Sequence, residues 1–108
     1  MIEEKEVLSL FADIHRETLY VWIERGWLAP EAGDGGFRFR EIDVARVRLI
    51  REFRTELELD VDALDVILPL LDQVHGLRDQ VRRIADAVSR EPEDVRRRIG
   101  ESLARQPD

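Results

Sequence analysis

Apolar residues recur at helical spacing along most of this chain, and the places where that period breaks divide it into elements. From Glu3 to Ala12, Val7, Leu8, Leu10 and Phe11 fall in overlapping pairs three or four apart, which predicts a short helix with one buried stripe. Asp13 can end that helix or cap the next. Arg16 to Arg25 repeats the pattern with Leu19, Val21, Trp22 and Ile23, and Gly26 follows as a C-terminal stop. The segment from Trp27 to Phe39 has apolar ends around a Gly/Asp centre and predicts a small β-hairpin with short strands. A third helix is expected over Glu41 to Leu57, where Ile42, Ala45, Val47, Leu49, Ile50, Phe53 and Leu57 form a broad apolar face.

Asp60 is placed to cap a fourth helix that begins near Val61 and reaches Val88 through Leu64, Ile67, Leu68, Leu71, Val74, Leu77, Val81 and Ile84. Pro69 and Gly76 lie inside it, so a kink or a break into two pieces is expected. Pro92 and the acids around it carry the chemistry of another helix start. Val95, Ile99 and Leu103 then make a thin amphipathic stripe at i, i+4 spacing, and Gln106 to Asp108 are expected to fray. The fold class is therefore mainly α, with one hairpin, a long helix with a kink or break expected in it and a short C-terminal helix. Residues 1–60 are read as one region and 61–108 as a helical region for dimerisation or partner binding, together one compact unit.

Composition narrows the chemistry. The 108 residues contain 24 acids, 17 bases, two His and no Cys, for a formal charge of −7. That is one domain's length with enough apolar surface for a modest core. No basic-then-apolar leader opens the chain and no apolar run approaches a membrane span, so the expected location is the cytoplasm. Without thiols, cysteine nucleophiles and Cys-based zinc sites are excluded, and two isolated His leave little for a metal. His15 and His75 have no companion nucleophile or carboxylate arrangement, and Ser9, Ser89 and Ser102 lack a Gly-rich elbow. No catalytic residue, metal site or cofactor is assigned, and the chain is read as a non-enzyme.

Helix, tight turn, helix, glycine stop, hairpin, helix is the order of a winged helix-turn-helix domain, in which the second helix reads the major groove and the wing grips the backbone. The run Thr18 to Leu28, then Phe37-Arg38-Phe39 and an acidic helix start at Glu41 to Asp43, resembles the N-terminal domain of MerR-type regulators over roughly the first 70 residues. Family DNA binders usually carry an arginine and tyrosines just after the Thr-Leu pair and another arginine shortly after the wing proline. Here those places hold Tyr20-Val21 and Glu31-Ala32. Residues 1–44 contain five bases and ten acids, a net of −5, whereas phosphate binding needs a basic surface. If the chain reads DNA, the candidate contacts are Arg16, Arg25, Arg38 and Arg40. Arg38, exposed between two phenylalanines, is expected instead to fix the wing by pairing with an acid of the next helix. Trp22, Trp27, Phe37 and Phe39 are expected to be core and wing packing.

A second resemblance extends further. The stretch Val47 to Asp60, with its basic-apolar rhythm and Glu58-Leu59-Asp60 ending, followed by Ile67 to Arg78, resembles the CbpM family of chaperone modulators over about residues 2–88. That resemblance implies a MerR-like module that binds the J-domain of a CbpA/DnaJ-like co-chaperone, inhibits it and does not bind DNA. An acidic protein suits a basic J-domain helix, because charge complementarity speeds encounter and selects partners.

The residues offer a surface for this. Asp65, Asp72, Asp79 and Asp86 recur every seven positions and return to nearly one helix face. Arg82 or Arg83 can pair with Asp79, and Arg90 with Asp86, at helical spacing. No base lies three or four residues from Asp65 or Asp72, so these two, with Asp60 and Asp62 at the helix start, are the candidate partner contacts. On another side Leu64, Ile67, Leu71, Val74 and Val81 follow 3, 4 and 7 spacings, with Arg78 and Ala85 in the remaining slots. They form either a two-fold dimer seam or a face packed on the other helices.

Overall fold

The computed structural model describes residues 1–105, so the expectation for Gln106 to Asp108 lies outside the described residues. The elements run β1 (Ile2–Glu3), α1 (Glu4–Leu10), α2 (Arg16–Glu24), β2 (Glu31–Gly33), β3 (Gly36–Phe39), α3 (Glu41–Thr55), α4 (Val61–Ser89) and α5 (Glu93–Ala104). The packing divides the chain into two compact units, Met1–Pro69 and Leu70–Asp108, and α4 contributes residues to both.

In the first unit a three-stranded antiparallel sheet has the order β1-β3-β2. The hairpin is where the Gly/Asp signal placed it, with Gly33 opposite Gly36 across the turn Asp34-Gly35. β1 is the unanticipated strand. Ile2 pairs with Phe39 and Glu3 with Arg38, and a two-residue strand has no periodicity to betray it. Gly36 sits at φ +120°, and a Cβ there would lie 3.0 Å from a carboxylate oxygen of Glu4, so this turn position requires glycine twice over.

The end of α2 is a Schellman motif. The Gly26 amide donates to the Ile23 carbonyl and the Trp27 amide to the Trp22 carbonyl, both at 3.0 Å, with Gly26 at φ +78°. The same turn brings the Trp22 and Trp27 rings to 6.3 Å between centroids. Val7, Phe11, Ile14, Leu19, Trp22, Trp27, Leu28, Phe39, Val44, Val47, Ile50, Leu64 and Leu68 form the buried core. Each large member contributes about 1.5–3 kcal/mol of burial, so the hydrophobic effect is the main term holding α1, α2, the wing, α3 and the first turns of α4 together.

Asp60 caps α4 as expected: its Oδ1 accepts the Ala63 amide at 2.8 Å and its carbonyl accepts the Leu64 amide at 3.1 Å. The helix then runs unbroken from Val61 to Ser89 through both Pro69 and Gly76. The expected break does not occur, although Pro69 removes one backbone bond and sets its ring against the carbonyl one turn before it. In the second unit, α4 continues to Ser89 and α5 follows. Val88, Val95 and Ile99 are partly buried there, while Leu103 remains exposed. No helix among the described residues is long and apolar enough to cross a membrane.

Candidate interaction surfaces

The surface that would read DNA is built by α2 and the wing. At its base lies Glu4, which is buried at the start of α1. Its carboxylate accepts the Tyr20 hydroxyl at 2.7 Å and the Phe37 amide at 3.2 Å, and it pairs with Arg16 Nε at 3.0 Å. One side chain therefore ties α1, α2 and β3 together. Donation to the carboxylate, helped by desolvation, holds the Tyr20 hydroxyl above its ordinary pKa. The Tyr20 ring meets Phe37 edge-on at 5.4 Å.

The four candidate arginines are each set against acids. Arg16 lies on Glu4. Arg25 Nη1 donates to Asp65 Oδ2 at 2.6 Å, and the buried Trp27 indole donates to Asp65 Oδ1 at 2.7 Å. Arg40 folds onto Asp43 through Nε at 3.1 Å and Nη2 at 3.2 Å, while Asp43 also accepts the Arg40 amide at 2.9 Å and so closes the start of α3. Asp43 raises the Arg40 guanidinium pKa further, mainly through the side-chain hydrogen bond. Arg40, not Arg38, is thus the arginine at the wing that pairs with an acid of the next helix. Arg38 stays exposed in the middle strand, opposite Glu3 on one side and Glu31 on the other.

Of the four aspartates singled out for partner contact, Asp60 is the α4 cap and Asp62 is exposed in the first turn of α4. Asp65 is engaged inside the chain by Arg25 and Trp27, partners 40 and 38 residues away in sequence. Helical spacing could not reveal them. Asp72 is exposed and makes an interaction of its own. Further along α4, Asp79 pairs with Arg83 and Asp86 approaches Arg90 at 3.8 Å, the i, i+4 pairs expected of a solvated face.

The apolar seam separates into two environments. Leu64 is fully buried in the first unit and Ile67 is half-buried, and in the second unit Leu71 is half-buried while Val74 and Val81 are exposed. On the part of α4 in the second unit, the exposed large apolar positions are Leu70, Val74, Leu77, Val81 and Ile84, at spacings of 4, 3, 4 and 3. This register runs through Leu77 and Ile84, not through Arg78 and Ala85. Val74, Leu77, Arg78, Val81 and Arg82 line a shallow groove of about 430 Å3 along it.

His15 occupies the N-cap position of α2 without a side-chain capping bond, and His75 is exposed on α4. Ser9 and Ser89 donate to the Glu6 and Asp86 carbonyls of their own helices. Among the described residues no group of three or more His, Asp or Glu is arranged to hold a metal ion.

This order of elements, with the second helix, the wing and a long following helix in place, defines a winged helix-turn-helix domain. A family model for the MerR HTH family regulatory protein matches residues 4–85, most of the chain, and the protein belongs to that family. No curated protein matches the chain, and no solved structure does.

Proposed function

We propose that this MerR-family chain is a non-catalytic modulator that binds the J-domain of a CbpA/DnaJ-like co-chaperone, inhibits it and leaves DNA alone. The observation that carries the reading is the acidic field of the half that would read DNA, five bases against ten acids in residues 1–44, with the candidate arginines set among those acids. Arg16, Arg25 and Arg40 are bonded to Glu4, Asp65 and Asp43, and Arg38 lies between Glu3 and Glu31. A DNA binder directs such groups outward to displace counterions, and here they offset part of the chain's own acidic excess. The acidic surface that remains suits the basic helix of a J-domain. Titration calorimetry with the cognate J-domain should give saturable binding at micromolar concentration or tighter. Absence of heat from folded protein would sink the reading.

The match to a regulatory HTH family favours a second reading, a DNA-binding transcription regulator acting through Arg16, Arg25, Arg38 and Arg40. A gel shift with the neighbouring promoter at low salt separates the two, since a regulator must give a salt-sensitive complex.

For assembly, the exposed stripe Leu70, Val74, Leu77, Val81 and Ile84 supports a homodimer formed through α4 of two copies. Val81→Asp should convert a dimeric mass in light scattering to the monomer's. An unchanged mass would refute pairing through this stripe.

A further inference from the structure

We infer that the partner docks on the C-terminal end of α3, in the groove formed by Glu52, Phe53, Glu56 and Leu57, and that its contact is a helix carrying Lys or Arg on both sides of an apolar side chain. This rests on the modulator reading above and assigns it a surface distinct from the aspartates of α4. The groove is about 370 Å3. Its apolar part is the half-buried Phe53 together with Leu57, which is 62% exposed. Glu52 in the last turn of α3 and Glu56 at its C-cap are one helical turn apart and share a face beside that floor, and Leu57, just past the cap, joins Phe53 in lining it.

The charge of this groove is not offset from within α3. Arg51 bonds Asp13 at 2.8 Å and lies over the Phe11 ring, Arg48 lies over the same ring, and Arg54 donates to the Leu59 carbonyl at 2.9 Å. These three arginines are therefore committed away from Glu52 and Glu56. Immediately after Leu57 the chain places Glu58, also exposed, at φ +52°, where glycine or asparagine is the easier residue. Three exposed carboxylates thus flank two apolar side chains on one short stretch. A basic amphipathic helix supplies both complements, cations for the rim and one apolar side chain for the floor, and a phosphate backbone supplies neither.

The test is calorimetric titration of the full chain with the cognate CbpA-like J-domain, using wild type, Glu52→Gln/Glu56→Gln and Leu57→Ser. All three positions are exposed, so the fold should persist, and circular dichroism checks that it does. As a charge control, Asp34→Asn neutralises an exposed acid at the wing turn. Each groove variant is expected to weaken binding about tenfold or more, the double glutamine variant mainly at low salt, with the control within about twofold of wild type. If wild type binds and the groove variants match it, this location is wrong while the modulator function stands. If wild type itself fails to bind, the modulator function falls and takes the docking site with it. Loss of dimeric mass in light scattering for Leu57→Ser would make the groove a seat for a second copy, which also overturns the inference.

Discussion

Replacing Asp65 by alanine tests what this carboxylate does in the fold. It holds two donors of unequal standing. Trp27 is only 5% exposed, and its indole N–H reaches Asp65 Oδ1 at 2.7 Å. Arg25 reaches Oδ2 at 2.6 Å, but the two side chains are 38% and 41% exposed. Leaving a buried N–H without an acceptor costs about 1–3 kcal/mol, and a half-exposed ion pair adds about 0.2–1 kcal/mol. Asp65→Ala should therefore destabilise the first unit by roughly 2–3 kcal/mol, with most of the loss on the tryptophan side. For a domain of this size that lowers Tm by roughly 10–20 °C. Arg25→Ala should cost under about 1 kcal/mol, and Asp65→Asn should fall between, since its amide oxygen can still accept from the indole. Urea unfolding followed by circular dichroism and tryptophan fluorescence reads all three. If Asp65→Ala stays within about 0.5 kcal/mol of wild type, or if Arg25→Ala costs as much, the reasoning fails, because the buried indole then does not depend on this acceptor.

Three other outcomes follow from the same geometry. Glu58 holds φ +52°, so Glu58→Gly should stabilise the chain by about 0.5–1 kcal/mol in urea unfolding, relief of left-handed strain exceeding the extra entropy of glycine in the unfolded state. Gly36→Ala should cost about 1–3 kcal/mol, because φ +120° is strained for alanine and its Cβ would stand 3.0 Å from a Glu4 carboxylate oxygen. The Asp13 and Asp79 carboxyls lie below the ordinary carboxylate pKa, chiefly through hydrogen bonds from Arg51 and Arg83. A folded-state pKa that is depressed gives stability that is fully present above about pH 4 and is lost as pH falls through the folded value. Side-chain NMR titration should show both midpoints below those of Asp13 in Arg51→Ala and Asp79 in Arg83→Ala, with no change in their contribution between pH 6 and 8.

The helices and the hairpin were legible because their causes are local. The i, i+3, i+4 stripes of α1, α2 and α3, the Gly26 stop, the Asp60 cap and the Asp34-Gly35 turn each depend on residues within a few positions of one another. Asp79 with Arg83 and Asp86 with Arg90 were legible for the same reason. What escaped was non-local. β1 exists only because Ile2 and Glu3 meet Phe39 and Arg38 across the chain. Glu4 reads as an ordinary first-turn acid, yet it is the buried acceptor for Tyr20, Phe37 and Arg16. Asp65 reads as available because no base of its own helix lies within reach, whereas its partners come from the turn that follows α2. The exposed register of α4 likewise needed the packing, since both heptad phases contain enough leucine, isoleucine and valine to pass as a seam.

The intrachain pairs of the wing and α2 do not by themselves bar DNA. Exposed pairs are worth about 0.2–1 kcal/mol each, and a phosphate could take Arg25 from Asp65 at that cost. Arg16 and Arg40 differ, because their partners Glu4 and Asp43 are 5% and 6% exposed in their side chains, and withdrawing either cation would leave a buried carboxylate with only neutral donors. The decisive quantity is the surrounding field. Five bases against ten acids in residues 1–44 leave a net charge of −5 where a duplex would approach, so even if all four arginines turned outward, the acids around them would remain. Four contacts per chain would give a salt slope no steeper than about −3.6 for one chain and about −7.2 for the proposed two-fold dimer. A slope steeper than that in the gel shift would mean that phosphates are neutralised by bases beyond α2 and the wing, and would remove the electrostatic ground for preferring a protein partner.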